Sequence, residues 1–311
     1  MKLGLGDSYD KVFINKKLRA YADTTKPAST LGVMGVYLMA SIFFYYYTGQ
    51  PDAIATDFRD IIYVVVTVGL AHGASQAMNM AEDAEMDMET EHKQNRPIPA
   101  GIISQEEART VAWVLILAAV GRAYLVNSTF GAVMSVLIFM GVFYNLDPIR
   151  AKERIISIPW QAASRGLLSF PAIWAAYGDL RSPTPWILGT FLFFYVLGFQ
   201  NSADIIDRHV DEDHGIRTFI VEYGVVGTSY IALASTLLMV GVIGGSVQLG
   251  YLPVRLLATL LIIPFCLGMW FHMRYNPHRM SNATGNHVTW TWFYLGMVLS
   301  VAIPMSVEIL H

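Results

Sequence analysis

Apolar residues fill nine stretches of this chain, near 31–48, 61–79, 110–126, 129–146, 156–177, 184–203, 224–246, 254–273 and 288–307. A helix that crosses a bilayer needs roughly 20 mostly apolar residues, so each stretch predicts one spanning helix. Most of them carry no charge; the third holds Arg122 and the fifth holds Arg165. The fifth has the weakest pattern, because Pro159 and Pro171 interrupt it. Membrane helices tolerate proline where neighbours satisfy the freed carbonyls. No charge falls between 224 and 253, which leaves the ends of the seventh helix loose. The pattern predicts an all-α, polytopic membrane bundle of about nine transmembrane helices, with 31–311 as a single transmembrane domain. The segment 1–30 carries scattered Lys and Arg and no signal-peptide pattern. Val12, Leu18 and Tyr21 give it a weak apolar stripe. It reads either as an amphipathic lead-in on the membrane surface or as an unstructured tail.

Composition and charge narrow the class. Of 311 residues, 54% are hydrophobic and 14% charged, against about 25% charged in a soluble domain. A net charge of −3 offers no basic face for nucleic acid, so none is expected as a partner. The single cysteine, Cys266, excludes an internal disulfide and a cysteine-rich metal site. Basic residues set orientation. With the N-terminus inside, 16 of the 21 Lys and Arg fall on inside segments, and the other side holds Arg59, Arg122, Arg181 and Arg255. The expectation is a multi-pass cell-membrane protein with a cytoplasmic N-terminus and His311 outside.

The acidic residues are not spread evenly. Of 24, 11 lie in two short runs: Glu82, Asp83, Glu85, Asp87, Glu89, Glu91, and then Asp204, Asp207, Asp211, Glu212, Asp213. Both runs follow the inner ends of spans, the second and the sixth. Asn79, Asp83 and Asp87 are four and four apart, and Asp204, Asp207 and Asp211 three and four apart. Each triplet shares one helical face. Stacked carboxylates repel, and a bound cation relieves that repulsion. Oxygen-only ligands suit a hard cation, Mg²⁺ before Ca²⁺. Aligning Asp83 with Asp207 also aligns Asp87 with Asp211, a weak internal echo four spans apart. Two such clusters facing one another form a clamp for a diphosphate. Arg96, Arg150 and Lys152 lie on the same side and would complete the cradle, as would Arg208 and Arg217. Asn201, one turn before Asp204, would orient a ligand. His72 reads as a packed histidine or a proton acceptor. Arg165 reads as facing a cavity or as snorkelling to the interface.

These residues resemble a family. Asn79-Met-Ala-Glu-Asp83-Ala-Glu-Met-Asp87, followed by Asn95-Arg96-Pro97-Ile98-Pro99-Ala100-Gly101, is similar to the first signature of the UbiA superfamily of intramembrane prenyltransferases. Asp204-Ile-Ile-Asp207-Arg-His-Val-Asp211, with Gly215-Ile-Arg-Thr218 and Tyr223-Gly224, resembles the second. Tyr144-Asn-Leu-Asp-Pro148-Ile-Arg150-Ala-Lys152 is similar to the loop after the fourth helix. The resemblance implies nine helices around a central cavity, capped by two acidic loops that face the cytoplasm. It implies Mg²⁺, with Mn²⁺ as a substitute, at Asn79, Asp83 and Asp87 and again at Asp204, Asp207 and Asp211. It implies diphosphate contacts from Arg150 and Lys152, and Asn79, Arg96, Tyr144 and Asn201 are the further candidates for substrate contact. The implied activity moves a polyprenyl group from its diphosphate, such as geranylgeranyl diphosphate, to a lipophilic acceptor within membrane lipid. Quinone precursors, chlorins and glycerolipid phosphates are all compatible acceptors.

Three positions depart from the pattern. Met80 stands where the family usually has Asp, Ala203 where it often has Lys, and Lys26 where it has Arg. Glu82 or Glu85 could replace the missing carboxylate. Met80 itself is either a lost ligand or a packing residue beside the Asn79 face. Aromatic side chains such as Tyr45, Tyr46, Tyr47, Trp160, Trp174, Phe193, Phe194 and Tyr195 suit a carbocation cavity, though each also suits an interface anchor. Two other functions share parts of the signal. A terpene cyclase would use the same metal site without an acceptor. A transporter would place acidic residues along a path across the bilayer, and here they gather at one face.

Overall fold

The structure is a computed structural model, and it describes residues 15–90, 93–280 and 287–311. The expectations placed on Lys2, Lys11, Val12 and Glu91 lie outside the described residues. Among the described residues the chain is helical, without strands.

A short helix, α1 (Lys16–Thr24), precedes the bundle. The spanning helices α2 (Pro27–Tyr47) and α3 (Ala53–Glu82) follow, then the short α4 (Ala84–Glu89), then α5 (Gln105–Val126) and α6 (Ser128–Asn145). After α7 (Ser157–Gln161), α8 (Ser169–Tyr177), α9 (Pro183–Phe199) and the short α10 (Arg208–Asp213) come α11 (Phe219–Gln248), α12 (Ile263–Tyr275) and α13 (His287–Leu310). A 3-10 run extends α9 to Ile205, and another, Val254–Ile262, leads into α12. Eight of these elements are long and apolar enough to span a membrane.

The ninth is the fifth apolar stretch, and it is broken. It consists of α7, a π-turn at Ala162–Leu167, and α8. Pro171 falls in the first turn of α8, where its missing N–H is not needed. The pieces nest against α9 through two glycines. A Cβ on Gly166 would lie 2.6 Å from Phe193 Cα, and one on Gly189 would lie 2.1 Å from the Leu167 carbonyl oxygen. Small residues at such contacts let helix backbones approach closely in lipid.

The elements close into a ring: α2, α3, α5, α6, α8, α9, α11, the run into α12, α13, and back to α2. Within the apolar windows, 61% of α3 and 67% of α9 are buried, against 22% of α5. The outer face of α5 presents Leu117 and Leu125 to lipid. Phe43, Phe170, Phe191, Tyr195 and Phe293 are fully buried in one apolar core. A large share of the aromatic side chains therefore packs the bundle, while others, such as Trp113 and Tyr230, stay exposed. Around Trp174, the rings of Phe43, Phe44, Tyr47 and Phe170 stack edge to face or tilted.

The unstructured-tail reading fails for Lys16–Thr24, which is helical and docks on protein. Glu107 is the anchor. It caps α5 with Ser104, accepts from Tyr21 Oη at 2.7 Å and pairs with Lys17 Nζ at 2.9 Å. Leu18 stays exposed.

The close approach at Gly189 has a measurable consequence. Gly189→Ala should destabilise the detergent-solubilised protein by about 1–3 kcal/mol, seen as a lowered melting temperature. Gly241→Ala, where an added Cβ meets nothing within 4 Å, should melt as the parent does.

Candidate active site

Helix α3 ends at Glu82 and α4 restarts at Ala84, so Asp83 stands at the joint. Asn79 lies one turn before it and Asp87 one turn after. Asn79 Nδ2 donates to Asp83 Oδ2 at 2.7 Å and to Asn145 Oδ1, at the end of α6, at 3.2 Å. In the second run, Asp204 lies in the 3-10 extension of α9, Asp207 caps α10 and Asp211 lies within it. His214, just after α10, lies through Nε2 3.2 Å from Glu89 Oε2 at the end of α4. The two acidic clusters therefore face one another at one end of the ring.

Cations from other loops meet both clusters. Lys152 Nζ pairs with Asp83 Oδ1. Arg96 Nη1 lies 2.5 Å from Asp87 Oδ2, and Lys93 Nζ lies 3.4 Å from Asp207 Oδ1. The charge of Lys93 also reaches Asp87 and Asp211, so this side chain stands between the clusters. Lys26 Nζ donates to Asn79 Oδ1 at 3.3 Å. Burial raises the Asp87 carboxyl, against the pull of Arg96. Burial and then the Asp207 charge push Asp211 up to about 7. Burial and the Arg96 guanidinium lower the Lys26 ammonium to about 7.

The remaining residues singled out in the sequence take different places. Tyr144 Oη accepts from Gln161 Nε2 at 2.7 Å and lies within electrostatic reach of Asp83, Asp204 and Arg165. Asn201 Nδ2 donates to the Leu197 carbonyl at 2.7 Å. Arg150 turns to its own loop, with Nε 2.5 Å from Glu153. Neither Glu82 nor Glu85 supplies the carboxylate missing at Met80. Glu82 is held by Arg109 Nε at 2.7 Å, and Glu85 is exposed. Sequence reasoning missed Lys93, Lys26 and Asn145 as site residues. Lys93 entered it only through orientation, and Lys26 only as a departure from Arg.

Both clusters fit a hard divalent ion by their chemistry. Every donor is oxygen, and Asp87 Oδ1, Asn201 Oδ1 and Asp204 Oδ2 are buried with no hydrogen-bond partner. Among the described residues, no three His, Cys, Asp or Glu side chains are already gathered at metal-binding spacing. The carboxylates instead hold the cations named above. Below the clusters lies a cavity of about 100 Å³, lined by residues of α2, α3, α6, α8, α13 and the π-turn, including His72, Arg165 and Tyr294.

A sequence profile described as the UbiA prenyltransferase family matches residues 33–294. The chain belongs to that family. Protoheme IX farnesyltransferase of Hyphomonas neptunium is 26% identical over 182 residues, 57% of this chain and 56% of that protein. The 4-hydroxybenzoate octaprenyltransferase of Vibrio cholerae is 24% identical over 192 residues, 60% and 66% of the two chains. The chain thus spans less than two thirds of the length of these curated relatives. A UbiA homologue from Archaeoglobus fulgidus, solved with DMAPP and Mg²⁺, superimposes with a TM-score of 0.65 at 14% identity, covering 94% of this chain and 99% of that one. A digeranylgeranylglyceryl phosphate synthase superimposes with a TM-score of 0.63 at 18% identity, covering 94% and 99%. The nine-membered ring is therefore the UbiA fold.

Within this family member, Met80 is a packing residue. Helix α3 runs on through Glu82, and Met80 is 3% exposed. Adjacent helical positions point about 100° apart, away from the Asn79 edge. Met80→Asp should lower the melting temperature by burying a charge and leave apparent Mg²⁺ affinity within about twofold in a titration.

Proposed function

We propose that this chain is a Mg²⁺-dependent membrane prenyltransferase. It transfers a polyprenyl group from its diphosphate, such as geranylgeranyl diphosphate, to a lipophilic acceptor. The observation that carries the reading is the meeting of two acidic clusters, already threaded by Lys93, Arg96 and Lys152, at one end of a closed apolar ring. The relatives' names give aromatic acceptors, protoheme IX and 4-hydroxybenzoate, and a structural neighbour is named for a glyceryl phosphate, so the acceptor class stays open between aromatic head groups and glycerolipid phosphates.

The residues that would hold the metal are Asn79, Asp83 and Asp87 on one side and Asp204, Asp207 and Asp211 on the other. The chemistry that bound Mg²⁺ supplies is neutralisation of the charge growing on the diphosphate as the allylic C–O bond loosens. Lys93, Arg96 and Lys152 exchange their carboxylate partners for diphosphate oxygens, which accept charge-assisted hydrogen bonds. Arg150 joins them by releasing Glu153. Asn145 fixes the Asn79 amide. Tyr144, between the clusters and the cavity, borders the reacting carbon. The apolar ring excludes water, which would otherwise quench an allylic cation to an alcohol.

Purified protein given labelled geranylgeranyl diphosphate and a panel of acceptors should form a prenylated acceptor, and EDTA should abolish it. Asp83→Asn and Asp207→Asn should each lower the rate by about a hundredfold or more while melting near the parent temperature. Full turnover in chelator would refute the metal role. A hydrocarbon product from the donor alone would identify a cyclase instead.

The clusters are proposed to face the cytoplasm, where a soluble donor pool can reach them. Ser104→Cys and Asp147→Cys should then be labelled by an impermeant maleimide only from the cytoplasmic side. Arg181→Cys should be labelled only from outside. The native Cys266 is buried and silent.

A further inference from the structure

The cavity contains a cation that the protein leaves unpaired. Arg165 lies in the π-turn Ala162–Leu167 and lines the cavity together with His72 and Ser75 of α3 and Tyr294 of α13. Among the described residues its guanidinium has no hydrogen bond and no ion pair; only its backbone carbonyl is engaged, accepting from Ser169 Oγ at 2.6 Å. Other arginines within the bundle are engaged. Arg122 lies 3.7 Å over the Tyr63 ring and donates to Thr67 Oγ1 and the Tyr63 carbonyl at 3.2 and 3.1 Å. Arg255 grips Glu308 through Nε at 2.8 Å and Nη2 at 2.9 Å. The other described cations without a partner, Arg59, Arg181 and Arg279, are exposed. A half-buried guanidinium at membrane depth without a counter-charge marks a ligand path.

We infer that Arg165 receives the oxyanion of the acceptor, a carboxylate or a phosphate, and so selects anionic acceptors over neutral ones. This rests on the transferase reading above. Three observations favour the acceptor over the donor. The donor's diphosphate has its own cations at the mouth: Lys93, Arg96 and Lys152. The lining reaches Ser75 and Gly141, each four residues and so one turn deeper than Asn79 and Asn145. Its volume of about 100 Å³ is of the order of one aromatic ring, room for the anionic head of an acceptor with the rest of that molecule outside it. Arg165 is also not remote from the mouth, because its charge reaches Tyr144 and Lys26. An acceptor anchored there by its anion would keep its nucleophilic atom below the departing diphosphate. The guanidinium fork matches carboxylate and phosphate geometry through two parallel hydrogen bonds. On the facing wall the polar groups are occupied with one another: Ser29 Oγ lies 3.0 Å from His72 Nε2 and 2.5 Å from Tyr294 Oη. They leave the guanidinium as the group that selects charge.

The test is calorimetric binding to the full chain in nanodiscs, using matched pairs. The pairs are 4-hydroxybenzoate and 4-hydroxybenzamide, a prenylglyceryl phosphate and the matching prenylglycerol, and protoheme and its dimethyl ester. At least one anionic member should bind about tenfold or more tightly than its neutral partner, and the pair that responds identifies the source of the oxyanion. Arg165→Gln should erase that preference while geranylgeranyl diphosphate affinity stays within about twofold. Arg165→Lys keeps the charge but loses the fork, so it should retain a reduced preference; it also controls for misfolding of the Gln variant. No anionic preference in any pair for the parent protein overturns the inference. So does a loss of donor affinity in Arg165→Gln that exceeds the loss for the acceptor. Absence of prenyl transfer with an intact anion preference would sink the transferase reading and leave the role of Arg165 standing.

Discussion

A carboxylate cannot be buried at the end of an apolar bundle without a counter-charge, and the architecture of this protein is arranged around that constraint. Asp83, Asp87 and Asp207 are each met by a cation from a different point of the chain: Lys152 after α6, Arg96 and Lys93 between α4 and α5. These contacts draw three connections over one mouth of the ring. Local cations do not satisfy every oxygen. Asp87 Oδ1 and Asp204 Oδ2 stay buried without a hydrogen bond, and burial raises the carboxyls of Asp87 and Asp211. Carboxylates pushed upward in this way lower their free energy by taking on positive charge. The same side chains that hold the clusters together are placed to hand over to an anion when that charge arrives. In the proposed function, structural ion pairs and the substrate cradle would be one set of residues.

The broken fifth element answers a second constraint, that of bringing a charged side chain into the middle of the ring. A regular helix through Ala162–Leu167 would satisfy its own backbone and present a narrow, uniform face. The π-turn widens the helix at Arg165, and such turns are frequent at functional sites. Gly166, the next residue, lets the widened turn press onto α9, where a side chain would strike the Phe193 backbone. Arg122 and Arg165 show how differently one residue type is handled within the bundle. One lies on a tyrosine ring and donates to a hydroxyl and a carbonyl; the other faces a cavity with no acceptor of its own.

The family relationship fixes the frame but not the acceptor. Relatives at 24–26% identity differ among themselves in what their names say they prenylate, and structures at 14–18% identity establish the fold alone. Specificity must therefore be sought in residues of this chain that the shared signatures do not explain. Arg165 is such a residue, and so are Lys93, which stands between shared motif positions, and Lys26, which stands where the family has Arg.

Along-chain periodicity determined much of this on its own. Eight of the nine apolar stretches became helices long and apolar enough to span a membrane, because the length of an apolar run and the need to satisfy every backbone group in lipid leave a helix as the solution. The spacing of Asn79, Asp83 and Asp87 placed them along one edge, since one turn separates each pair. The fragmentation of the fifth element was visible only as two prolines; its π-turn depended on how closely α9 could approach. Tertiary structure alone decided which charges pair. Glu82, a neighbour of the cluster in sequence, belongs to Arg109 on α5; Arg150 belongs to Glu153; Lys93, counted only for orientation, lies between the clusters. Periodicity reports which residues share a face of one helix. A salt bridge depends on which loop from elsewhere in the chain ends within a few ångströms, and that distance does not exist until the ring has closed.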